Sequence, residues 1–170
     1  RKNGDSAVKK YERKFNGRKT SQLRVSAKEI KEARSKISRK ESEAENGVET
    51  LLHNAMETPS LLDYFIQPNA YEMNNPLELR YEKTLVPIPS VGCYIPGGQA
   101  RYPSSVIMSV TPARRAGVKR IVVVSPPGPD GKIDPLTIVA AKMCGATEIY
   151  KVGGAQAIAA LTYGIKSIPK

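Results

Sequence analysis

A single histidine, His53, stands among the 170 residues, and that scarcity removes much chemistry at once. A Ser-His-Asp or Cys-His nucleophilic system has only this one imidazole to draw on. No cysteine or carboxylate partners stand at ligand spacing around it in LLHNAM, so it makes a poor metal site. Read from the residues, His53 is structural or solvated on a helix. Cysteine is as sparse. Cys93 and Cys144 lack the paired spacing of a metal site, and two reduced, partly buried thiols are expected. No apolar run approaches the roughly eighteen residues of a membrane span. The basic N-terminus RKNGDSAVKK is not followed by the apolar stretch of a secretory signal. The expectation is a cytoplasmic protein with no membrane partner. Neither G-x-G-x-x-G nor a P-loop occurs. A chain of 170 residues suits one domain with a core, or a domain with a helical appendage, so a large enzyme would be present only in part.

Positive charge is what the chain has in excess, +11 overall. Most of it lies in the first third, where residues 1–50 hold 15 Lys or Arg against 8 Asp or Glu. Acids and bases interleave there, as in KEIKEARSKISRKESEAE, the pattern of a solvated helix with i,i+4 pairs rather than of a continuous phosphate-binding stripe. A nucleic-acid partner is therefore not expected.

Two textures divide the chain near Arg80. Residues 1–80 read as an N-terminal helical region. Ala7, Val8, Tyr11 and Phe15 fall at helical spacing before Gly17. Ser26 with Glu29 forms a capping-box signature for a helix to about Ile37, and a further helix lies around Val48 to Met56. Glu57 to Asn75, with Pro59 and Pro68, breaks into a turn or short helix and a connector. Residues 81–170 alternate. Tyr81 to Val86 and Val91 to Ile95 read as strands, and Ser104 or Ser105 caps a helix through Ala116 that Pro112 should kink. The apolar run Arg120 to Val124 suits a strand covered on both faces. Asp134 and Pro135 open a helix that Gly145 stops. Glu148 to Val152 is a strand, and Gly153-Gly154 leads into a helix ended by Gly164. The fold class is α/β, with a Rossmann-like parallel sheet in the order β-α-β-α-β-α.

Ligands of such sheets bind beyond the carboxyl ends of the strands. Three loops qualify: Tyr94-Ile-Pro-Gly-Gly-Gln99, Ser125-Pro126-Pro127-Gly128, and Val152-Gly153-Gly154-Ala155-Gln156. Each has a plainer reading beside it. A Gly-Gly pair after a strand is more often a tight connection than a phosphate cradle. Tyr94 could be an edge aromatic, Ser125 a cap, and Gln156 an exposed first-turn residue. The residues by themselves reach a parallel sheet with candidate cofactor loops.

VGCYIPGGQARYPSSVIMSVTPARRAG, VVVSPPG, CGATEIYKVGGAQAIAALTYG and SIPK together closely resemble histidinol dehydrogenase, densely over residues 91–170 and weakly back through GDSAVKKYERKFNG. The resemblance implies an NAD-dependent, zinc-containing homodimer that oxidises L-histidinol through an aldehyde to L-histidine. Related enzymes with similar cofactor motifs act on other small polyols or amino alcohols, and a truncated, non-catalytic NAD-binding or oligomerisation module is the further alternative. By the resemblance, Tyr94 and Gln156 match the family's NAD-contacting tyrosine and glutamine. A further NAD-contacting asparagine, the zinc ligands and the catalytic glutamate and histidine belong to segments after SIPK, so the chain is expected to carry the cofactor-binding part and no catalytic or metal-ligating residue. Arg101 stands where the family commonly has a small residue. It could reach a cofactor phosphate or be one more surface charge.

Overall fold

A computed structural model of the chain describes residues 3–17, 22–37, 86–97 and 101–170. His53, the helix around Val48 to Met56, the broken stretch Glu57 to Asn75, the boundary near Arg80 and all of the Tyr81 to Val86 strand except Val86 lie outside them; Val86 itself is exposed and not in a strand.

Five helices and three strands are described: α1 (Gly4–Asn16), α2 (Ala27–Lys36), β1 (Ser90–Tyr94), α3 (Pro103–Arg115), β2 (Arg120–Ser125), α4 (Pro135–Cys144), β3 (Glu148–Lys151) and α5 (Gly154–Tyr163). The strands form one parallel sheet in the order β1-β2-β3. Sequential strands that step in one direction with a constant crossover hand place their helices on one face. Accordingly α3 and α4 pack together, with α2 against α4, while α1 packs against α5.

The β2 side chains alternate between these layers. Ile121 and Val123 join Cys93, Val106, Val110, Ile138 and Ile149 in one core. Val122 and Val124 join Val8, Tyr150, Val152, Ala157, Ala160 and Ile168 in the other. Both sides of β2 are thus apolar, which is why RIVVV shows no polar alternation.

The local signals mostly act as their chemistry dictates. Ser26 Oγ accepts from Glu29 N at 3.2 Å while Ser26 N donates to Glu29 Oε2 at 2.9 Å, closing the capping box. Asp134 Oδ1 accepts from Leu136 N and Thr137 N at 3.0 and 3.3 Å, with Pro135 at the first helical position. Gly145, at φ 103°, ends α4 in the left-handed region. At α3 the structure differs from expectation. Tyr102, not Ser104 or Ser105, precedes the helix, Pro103 occupies its first turn, and the hydroxyl of Ser109 donates to Ser105 O at 2.7 Å. Pro112 lies inside α3, which continues to Arg115.

Sequence patterning did not anticipate an extended segment before α2. Lys151 N donates to Leu23 O at 2.7 Å and Val25 N to Ile149 O at 2.9 Å, with Arg24 bridged antiparallel to Tyr150. The edge of β3 is thereby covered by chain from the N-terminal third. The Lys151 ammonium meets Glu29 of α2 at 2.7 Å, so α2 is tied to the same edge. Cys93 and Cys144 are free and buried in the first core, and burial pushes both thiols up.

Candidate functional site

A parallel sheet delivers the carboxyl ends of its strands to one rim, and here that rim carries Tyr94, Ser125 and Lys151. The loops beyond them serve different purposes.

Tyr94 ends β1 on the same side of the sheet as α5, with 37% of its surface exposed. Its hydroxyl accepts a hydrogen bond from Gly154 N at 3.2 Å. The phenolic proton is then left to donate outward, and the ring offers an aromatic face. Gly97 lies just beyond. A Cβ there would sit 2.9 Å from Ser125 Oγ and 3.3 Å from Pro126 O, so glycine lets the first loop lie against the second. Gly98 and Gln99 of this loop are outside the described residues.

The second loop is a packing element. Ser125 is 1% exposed and does not present its hydroxyl to a ligand. Gly128 N donates to Lys132 O at 2.7 Å within a turn. Pro126 fills the space beside Gly153, where a Cβ would come within 2.5 Å of the proline Cβ and 3.1 Å of its Cα.

The third loop brings the two candidates together. Gly153 is buried, and Gly154 turns the chain at φ 63°, a left-handed conformation that favours glycine. Gln156, in the first turn of α5, is 9% exposed, and its amide folds back beside Gly154 Cα. Tyr94 and Gln156 therefore flank Gly154, one at its N–H and the other at its Cα. The plainer reading of Gln156 as an exposed first-turn residue does not hold.

The reason is Glu12. Its Oε1 accepts from Gln156 Nε2 at 2.7 Å and from Gly153 N at 3.0 Å, and the residue is 0% exposed. A carboxylate thus sits beside the N-terminus of α5, where the helix dipole favours negative charge. Residue-by-residue reading passed over Glu12, although a signal was present: it stands four residues after Val8 and three before Phe15, inside the apolar stripe of α1 rather than opposite it.

Arg101 pairs with Asp134, Nε to Oδ2 at 3.1 Å, with over half of its side chain exposed. Its partner is thus the acid that caps α4. Among the described residues, no group of three or more His, Cys, Asp or Glu side chains is placed to hold a metal ion. No helix among them is long and apolar enough to cross a membrane.

The chemistry of the rim fits a nucleotide cofactor through its neutral parts. Tyr94 supplies a donor and an aromatic face, and Gln156 a carbonyl. Glu12 takes the amide of Gly153, just before α5, and Tyr94 that of Gly154, its first residue.

Comparison with known proteins agrees with this architecture. A family model described as histidinol dehydrogenase matches residues 1–170. The chain is 44% identical to histidinol dehydrogenase of Methanococcus maripaludis over 170 residues, 99% of this chain and 38% of that protein. It is also 44% identical to histidinol dehydrogenase of Bacillus licheniformis over 168 residues, again covering 99% and 38%. The crystal structure of histidinol dehydrogenase from Elizabethkingia anophelis aligns with a TM-score of 0.76 at 32% identity, over 98% of this chain and 37% of that one. The chain spans a little over a third of the length of the relatives it matches. With the sequence motifs, the parallel sheet and the family match all in agreement, the chain belongs to the histidinol dehydrogenase family.

Proposed function

We propose that this chain is the cofactor wall of an NAD-dependent histidinol dehydrogenase, an enzyme of histidine biosynthesis that oxidises L-histidinol through L-histidinal to L-histidine and works as a cytoplasmic homodimer. The observation that carries the reading is the convergence of Tyr94 and Gln156 on Gly154 at the carboxyl rim of the sheet, in a chain of this family. NAD when bound supplies the hydride acceptor, and zinc, held by residues outside this chain, the polarisation of the substrate alcohol.

The work of this chain is to bind and orient. The Tyr94 ring and hydroxyl give the cofactor a face and a donor, and Gln156 gives an acceptor. Gly97 and Gly153 let the three loops close into one wall, because any side chain there would push Ser125 or Pro126 away. A rigid wall reduces the freedom the cofactor must lose on binding.

Equilibrium titration of NAD against the chain and against Tyr94→Ala and Gln156→Ala tests the reading. Saturable binding that weakens about tenfold or more in each variant is expected, from the loss of a hydrogen bond and of aromatic contact. Equal binding by all three, or none by any, contradicts it. The chain alone should not turn over L-histidinol, and zinc-dependent NADH formation by it would contradict the division of labour.

A further inference from the structure

Glu12 is the one fully buried acid among the described residues, and it lies 144 positions from the glutamine it holds. An ionised carboxylate accepts hydrogen bonds and cannot donate them, whereas a glutamine amide has one donating end and one accepting end. With Glu12 Oε1 at 2.7 Å, the donating end of Gln156 must face inward. Among the described residues nothing donates to the accepting end, Oε1, and it is not among the sealed, unpartnered polar atoms. The same carboxylate places negative charge at the start of α5 and occupies the Gly153 amide, the features that would otherwise attract a phosphate.

We propose that Glu12 is a positioning residue that fixes Gln156 as a hydrogen-bond acceptor, so that the group recognised at Gln156 is an uncharged donor, such as a ribose hydroxyl, and the cofactor's pyrophosphate lies away from the α5 N-terminus. The proposal deepens the cofactor reading of Gln156 and rests on it for the identity of the ligand. A single bond sets the polarity of the site: it selects a sugar or amide and repels an anion. It also couples the N-terminal helix to cofactor choice across nearly the whole length of the chain.

Nuclear magnetic resonance on the isotopically labelled chain tests this in two arms. In the first, adenosine, nicotinamide riboside and inorganic pyrophosphate are added separately to the unaltered protein. One of the nucleosides should shift the Gln156 side-chain amide and pyrophosphate should leave it and the Gly153 amide in place; pyrophosphate shifting both overturns the proposal. In the second, without ligand, Glu12→Met removes the acceptor at similar length and Glu12→Gln keeps an acceptor oxygen. Solvent exchange of the Gln156 side-chain amide should quicken about tenfold or more in Glu12→Met and stay near the original rate in Glu12→Gln, with the Val122 and Val123 amides unchanged in both. Equal exchange in all three forms overturns the positioning role. If no nucleoside and no NAD shifts any resonance, the cofactor reading fails, and the exchange rates alone decide whether Glu12 orients Gln156. If Glu12→Met does not fold, the ligand arm on the unaltered protein still decides the polarity of the site.

Discussion

On one face of the sheet, α2, α3 and α4 cover Cys93, Ile121, Val123 and Ile149 with an apolar core into which Ile138, Val139 and Ala141 are wedged. On the other, α1 and α5 cover Val122, Val124 and Tyr150 with fewer apolar residues and with two carboxylates that reach across. Glu12 holds the start of α5, and Asp5 accepts from Ser167 N at 3.1 Å and from the Ser167 hydroxyl just beyond its end. The two acids are seven residues apart on α1, two helical turns, and so share a face. The first face is held chiefly by area removed from water, which is non-directional, with the Glu29–Lys151 and Glu32–Lys132 pairs tying α2 at its margin. The second is held by directional bonds that also fix Gln156. Stability and the candidate site are thus drawn from different layers, and substitutions can separate them.

The largest effect is expected from Ile149→Ala on the first face, which should cost about 3 kcal/mol in urea unfolding through lost burial and the cavity left behind. NAD affinity of the folded fraction should not change, and a parallel loss would show that the faces are not separable. Gly153→Ala strikes the second face at the rim. Its Cβ would fall 2.5 Å from Pro126, and overpacking of that kind costs about 1–3 kcal/mol. Calorimetric titration should show NAD affinity falling along with stability. Tyr94→Phe keeps the ring but leaves the exposed Gly154 N–H without its acceptor. Melting should shift little, while NAD binding weakens about fivefold, the worth of a single hydrogen bond near 1 kcal/mol.

The smallest effect concerns acid. Burial pushes the Asp5 carboxyl up, but the bonds from Ser167 and the charges of Lys9 and Lys166 outweigh it and hold the group below its ordinary 3.8. A depressed folded value contributes stability above the unfolded pKa and loses it as pH falls through the folded one. Amides of residues 165–168 should therefore lose exchange protection as pH drops below about 3.8, before those of β2. Asp5→Asn should flatten that dependence, and simultaneous opening of both faces would contradict it.

Much of this was legible in the chain. Caps and stops such as Ser26, Asp134-Pro135 and Gly145 are local chemistry, decided within four residues. RIVVV announces a strand covered twice. Tyr94 and Gln156 were singled out because the motifs around them resemble a family, while their spacing alone left them open. What escaped was long-range. The pairing of Leu23 and Val25 with β3 depends on an edge that exists only once the sheet has formed. Glu12 stood in the apolar stripe of α1, but its partners Gly153 and Gln156 were fixed only when α1 docked on α5, and the three loops parted into a wall and its packing only when Pro126 was seen against Gly153. At α3 two candidate serine caps competed, and Pro103, with φ already set for a first turn, began the helix instead.

Hydrogen–deuterium exchange with and without saturating NAD tests the central claim most directly. Protection should rise in residues 93–97 and 152–157, the strand ends and glycines around Tyr94 and Gln156, with little change in α2 and α4. Protection confined to α2 and α4, or absent throughout, would contradict the assignment of this rim as the cofactor wall.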